Sequence, residues 1–182
     1  MDTGTRIVRY SDANVQMRAR LGPSLERVFF LSSATKIFRD EGQRMLHYDR
    51  WLGRYLSMWP GDCFMRVDAA GEMAAYLVGC PDSAAAAALF SNIGYYPRLW
   101  RQFADYPAHF HVNTAPEHRG HGHGAALVEA YAAHCRAAAI PGMHVVTAAA
   151  SPAAAFFAKC GLRRVTVVEW QGRQLEMLGR KF

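Results

Sequence analysis

Two groups of residues have types and spacing suited to chemistry, and they follow one another along the chain. In Ala108-His109-Phe110-His111-Val112-Asn113-Thr114 polar and apolar side chains alternate. Successive side chains of a strand point to opposite faces, so His109, His111 and Asn113 share one face and Phe110 and Val112 the other. Imidazole titrates near neutrality, which lets such a row take up or pass on a proton; the bland alternative is a pair of hydrogen-bonded structural histidines. Then comes Pro116-Glu117-His118-Arg119-Gly120-His121-Gly122-His123-Gly124. Its glycines remove side chains where a backbone must curl around an anion, and the apolar-periodic run Ala125 to Ala139 supplies a helix whose first amides and dipole favour negative charge. Strand, phosphate-cradling turn and helix are therefore expected in that order. His118, His121 and His123 look like metal ligands on paper, but they sit where phosphate-binding amides are needed and lack a carboxylate or cysteine partner, so no metal is expected.

The spacing Arg119-x-x-Gly122-x-Gly124, entered through Pro116-Glu117-His118, resembles the coenzyme A pyrophosphate loop of the GNAT superfamily of N-acetyltransferases, whose pattern is Arg/Gln-x-x-Gly-x-Gly/Ala. Downstream, Gly142-Met143-His144-Val145-Val146-Thr147 resembles that family's fifth strand, and Ala153 to Leu162 its following helix and turn. The resemblance covers residues 108–164 by motif and the rest by order of elements. Within the superfamily, His109-Phe110-His111-Val112 with Gly142-x-His144 most resembles the acetyltransferase-like domain of O-GlcNAc hydrolases and its stand-alone bacterial relatives. The paired histidines are also similar to those of arylalkylamine N-acetyltransferases.

The resemblance implies an acetyl-CoA-dependent transfer of an acetyl group to a primary amine of a small molecule or protein. The alternative is a catalytically silent acyl-CoA-binding sensor or interaction module of the same fold. The pyrophosphate would lie over the amides of Arg119, Gly120, His121, Gly122, His123, Gly124 and Ala125, with the pantetheine arm pairing along the fourth strand towards Thr114 and Ala115. His111 is then expected as the base, His109 as its helper or substitute, and Asn113 as a group orienting substrate or water. A backbone amide near Asn113 to Ala115 would hold the thioester oxygen. One departure stands out. The family pattern Asn-x-x-Ala-x-x-x-Tyr-x-x-x-Gly, aligned on Gly161, places Ala150, Ala153 and Phe157 here. Phe157 has no proton to give the departing thiolate, which leaves water, another group such as Tyr106, a slow enzyme, or binding without transfer.

Length and composition fit this. A chain of 182 residues, 51% hydrophobic and 20% charged, suits one globular domain spanning 1–182. No cleavable apolar leader and no bilayer-length apolar run is seen, so a cytoplasmic protein with no membrane partner is expected. The net charge of +6 raises nucleic acid as a partner. Yet Arg6, Arg9, Arg18, Arg20, Arg27, Arg163 and Arg164 are dispersed, and no aromatic-basic stacking motif appears. Monomer or homodimer is expected, with no nucleic acid. Cys63, Cys80, Cys135 and Cys160 read as reduced thiols, Cys63 and Cys80 being the pair to check.

The elements that must position these residues follow from periodicity and punctuation. Arg6 to Tyr10 predicts a first strand. Asp12 to about Leu31 predicts irregular helix broken at Gly22-Pro23. Ser33 is expected to cap a long helix whose face carries Phe38, Met45, Leu52 and Trp59, ending before Pro60, with Tyr48 or Tyr55 able to reach a substrate. Asp62 to Asp68 and Glu72 to Cys80 predict a hairpin around Ala69-Ala70-Gly71. Ala84 to Ala104 predicts a helical insert broken near Gly94 and Pro97. The fourth strand (108–114), the loop helix (about 122–139), a fifth strand (143–147), a helix from Pro152 to Lys159 and a hairpin around Gln171-Gly172 complete the order. The fold class expected is α/β (α+β), a mixed, mostly antiparallel sheet of six to seven strands flanked by helices, with the insert between strands three and four.

Overall fold

The structure, a computed structural model, describes residues 4–182; the part of the leader reading that rests on Met1 to Thr3 lies outside the described residues. Seven strands form one sheet: β1 (Arg6–Arg9), β2 (Cys63–Val67), β3 (Met73–Cys80), β4 (Ala108–Thr114), β5 (Gly142–Ala148), β6 (Arg163–Trp170) and β7 (Arg173–Lys181), in the order β1-β2-β3-β4-β5-β7-β6. The β4–β5 pair is parallel, whereas β1–β2, β2–β3, β5–β7 and β6–β7 are antiparallel. The helices are α1 (Val15–Ser32), α2 (Glu41–Tyr48), α3 (Arg54–Met58), α4 (His123–Ala137) and α5 (Pro152–Lys159). This is the mixed, mostly antiparallel α/β architecture expected. The chain divides into two compact units, residues 1–79 with 111–131 and residues 80–110 with 132–182.

In the first unit β3 is buried along its whole length, and its hairpin with β2 turns at Gly71, φ +88°. The ring of Tyr131, on α4, lies flat over Gly79, where a Cβ would come within 2.5 Å of it. Asn14 caps α1 by accepting the Met17 amide at 2.8 Å. The break expected at Gly22-Pro23 does not occur, and α1 runs unbroken with Pro23 inside it. A mid-helix proline costs about 3 kcal/mol. Leu21, Leu25, Val28 and Phe29 are all buried along one helical face, each at about 1.5–3 kcal/mol, and together they outweigh it.

The next helix starts at Asp40 and not, as expected, at Ser33. Asp40 Oδ1 accepts the Gln43 amide at 2.7 Å while Gln43 Oε1 accepts the Arg39 amide at 2.6 Å, a reciprocal cap. Ser33 instead closes α1, its amide donating to Phe29 O at 2.8 Å. A π turn over Asp49–Gly53 joins α2 to α3. Because that turn is wound wider, the expected seven-residue row is out of phase across it: Met45 is 49% exposed, whereas Leu52 and Tyr55 are fully buried.

In the second unit the expected helical insert is present between β3 and β4, wound as 3₁₀ and not as α-helix. Residues 84–104 form turns and two 3₁₀ helices, Ala87–Phe90 and Tyr96–Gln102. Phe90, Ile93, Tyr96 and Leu99 are buried at intervals of three, the period of a 3₁₀ helix. Ser151 caps α5 by accepting the Ala154 amide at 3.1 Å, Pro152 opens it and Gly161, φ +83°, ends it as expected. Gln171 and Gly172, φ +50° and +70°, make the tight β6–β7 turn. All four cysteines are free; Cys63 faces Val78 in the β2–β3 register, and burial pushes its thiol up to about 12. Among the described residues no helix is long and apolar enough to cross a membrane.

Candidate active site

Residues after the midpoint of β4 meet the helical layer of the first unit. His111 Nε2 lies 3.0 Å from the Tyr55 hydroxyl, and its ring is met edge-on by Trp51 at 5.2 Å and by Tyr55 at 5.4 Å. Asn113 Nδ2 donates to the Tyr76 hydroxyl at 2.7 Å. Both side chains line a cavity of about 290 Å³ whose other wall comes from Phe29, Ser32 and Ser33 at the end of α1 and from His47 and Trp51. Desolvation in this setting pulls the His111 imidazole down to about 4. His47, whose Nε2 is 2.8 Å from Ser33 Oγ, is also lowered, first by burial and then by Arg50. Both rings are therefore neutral at neutral pH, and an uncharged imidazole has a lone pair to offer.

In the second unit His109 is 6% exposed, with Nδ1 2.8 Å from Ser83 Oγ. The Ser83 hydroxyl donates to Pro107 O at 2.6 Å, so its oxygen accepts from His109, which fixes the proton on Nδ1 and leaves Nε2 an acceptor. His144, on β5, likewise donates Nδ1–H to Tyr106 O at 2.7 Å, and the His109 and His144 rings are 5.7 Å apart. His109 is thus a buried, hydrogen-bonded side chain.

The glycine-rich turn is formed as its glycines demand. Gly120 and Gly122 sit at φ +80° and +79°, a region that L side chains rarely adopt. Gly122 O accepts the Ala126 amide at 3.0 Å. It is thereby the residue preceding the first helical turn, and α-helix geometry leaves the amides of Gly122, His123, Gly124 and Ala125 without intrahelical partners. Arg119 Nε is 3.4 Å from Thr114 O. The rings of His118 and His121 each lie about 6 Å from that of His123, and His123 is lowered first by burial and then by Arg66, His118 and His121. Glu117, the acidic residue of this turn, is paired with Arg27 at 2.9 Å. Among the described residues no group of three or more histidine, cysteine or acidic side chains is placed to hold a metal ion. The Ala115 amide donates to Ala74 O at 2.9 Å, so it is engaged within the first unit.

Two further positions bear on proton delivery. Phe157 is buried against Phe110, ring to ring at 5.9 Å. Tyr106 packs over Gly142 and Gly179, at the opposite end of the β5–β7 ladder from the Ala148–Leu175 pair that leads into α5. Sequence reasoning did not find His47, Trp51, Ser32, Ser33 or Tyr76. His47 ends α2 and Trp51 lies in the π turn that follows, and only the fold shows that both face the cavity at β4.

The Acetyltransferase (GNAT) family model matches residues 29–162, and the chain belongs to this family of enzymes. Among solved structures, SsHAT is 20% identical over 98% of both chains with a TM-score of 0.71. The polyamine N-acetyltransferase of Drosophila melanogaster, which forms N-acetylagmatine, is 15% identical over 98% of this chain and 100% of that one, with a TM-score of 0.66. The NatC complex bound to a Gag peptide and CoA is 12% identical over 98% of both chains, TM-score 0.63. At these identities the likeness is one of fold. Among curated proteins, none matches the sequence.

Proposed function

We propose that the protein is an acetyl-CoA-dependent N-acetyltransferase acting on a primary amine, with all of 1–182 as one acetyltransferase-like domain of the cytoplasm. The amides from Arg119 to Ala125 hold the coenzyme pyrophosphate, and the pantetheine arm runs along β4 by Thr114 and Ala115. Because the Ala115 amide is engaged by Ala74 O, the thioester oxygen falls to an amide at Asn113 or Thr114. His111 takes the proton from the amine as it attacks the thioester carbonyl; the C–N bond forms, the C–S bond breaks, and the thiolate leaves to be protonated by water. Asn113 orients the amine. One observation carries this reading: the His111 imidazole, bonded at Nε2 to the Tyr55 hydroxyl, stands with Asn113 on the wall of a cavity of about 290 Å³. Within the family, the pairing of His109-Phe110-His111-Val112 with Gly142-x-His144 supports a kinship with the acetyltransferase-like domain of O-GlcNAc hydrolases and its stand-alone bacterial relatives.

The buried phenyl of Phe157 favours a second reading, an acyl-CoA-binding module without transfer. Calorimetric titration with acetyl-CoA, followed by free-thiol release over a panel of amines, separates the two. Binding with turnover that falls at least a hundredfold in His111→Ala supports the enzyme; binding with no turnover on any amine supports the module; no binding removes both.

A further inference from the structure

Resting on that reading, we propose that the cavity at His111 selects a compact primary monoamine with an uncharged, aromatic or branched apolar body, and rejects di- and polyamines. The cavity, about 290 Å³, takes a small acceptor and opens to solvent, so its lining and not its volume discriminates. Phe29, Trp51, His47 and His111 offer ring faces and edges for a flat or branched apolar group, and no carboxylate lines the cavity.

A single ammonium loses its charge to His111 as it reacts. A second ammonium on the same molecule keeps its charge and needs a counter-ion once taken out of water. The adjoining hollow, which shares Thr35, does contain Asp40 and Glu41. Their carboxylates are already engaged: Asp40 accepts the Gln43 amide and pairs with Arg39 at 2.8 Å, and Glu41 pairs with Arg44 at 2.9 Å.

The test compares phenethylamine, tyramine and isoamylamine with agmatine, putrescine and spermidine as acceptors. Expected is kcat/KM at least tenfold higher for the monoamines, and a fall of that ratio by at least fivefold in Ala34→Asp, which places a carboxylate on the cavity wall. Equal or better turnover of the diamines overturns this inference while leaving acetyl transfer intact. A second readout is independent of chemistry: quenching of intrinsic fluorescence by the monoamines, abolished in Trp51→Phe, with acetyl-CoA absent. Quenching without turnover on any amine keeps the selectivity and overturns the transfer reaction; no monoamine quenching and no monoamine turnover overturns the selectivity.

Discussion

Acidification should destabilise this protein through His111, and the size of the effect follows from its surroundings. In the unfolded chain the imidazole titrates near 6.5, and in the folded one desolvation holds it to about 4. The unfolded state therefore binds the proton more readily. The contribution of neutral His111 is fully present above pH 6.5 and is lost as pH falls through the window from 6.5 to 4. A difference of about 2.5 pH units at 1.36 kcal/mol per unit gives at most about 3.4 kcal/mol, and relaxation around the charged ring makes the observed loss smaller. Urea unfolding of the wild type and of His111→Gln between pH 7 and 4.5 isolates this term, because His47 and His123, also lowered by burial, titrate in both proteins. The wild type should lose at least 1.5 kcal/mol more than the variant across that range, a margin set by about 1.36 kcal/mol per proton and pH unit. Parallel stability curves, or an NMR titration placing the His111 ring near 6.5, would refute the argument and remove the basis for a neutral base at this site.

Other perturbations test other parts of the fold. Gly79→Ala puts a methyl within 2.5 Å of the fully buried Tyr131 ring and should cost about 1–3 kcal/mol in urea unfolding, with partial recovery in the double variant carrying Tyr131→Leu. Arg164→Ala removes the partner, at 2.7 Å, of Glu176, a carboxylate 2% exposed; with the arginine itself 63% exposed, about 1–3 kcal/mol should be lost, and adding Glu176→Gln should restore part of it. Gly122→Ala forces a Cβ into φ +79° at the mouth of the anion site, and calorimetry should show acetyl-CoA affinity falling at least tenfold with about 1–2 kcal/mol lost from stability.

Local chemistry made part of this molecule readable in advance. The glycine-rich turn, the Pro152 start and Gly161 stop of α5, and the Gln171-Gly172 hairpin were legible because each depends on a few adjacent residues and their allowed backbone angles. Pro23 misled because its cost is local while the burial of Leu21, Leu25, Val28 and Phe29 that outweighs it is tertiary. Ser33 misled because a serine alone does not start a helix here, whereas Asp40, with Gln43 three residues on, makes the reciprocal cap. The run Ala84 to Ala88 suggested α-helix by propensity, whereas the spacing of three between Phe90, Ile93, Tyr96 and Leu99 was the stronger signal. At the site, alternation correctly grouped His111 with Asn113, since strand geometry alone decides that. Their hydroxyl partners Tyr55 and Tyr76, 56 and 37 residues away, were not predictable as partners, because no short-range rule links such distant positions.

The wide turn at Asp49–Gly53 holds one residue more than regular winding would. Each residue of a regular helix advances the chain by about 100°, so the same extra residue in α2 or α3 would swing one end of the segment around its axis. Taken up in the wide turn, it leaves His47 against Ser33 and Trp51 and Tyr55 against His111.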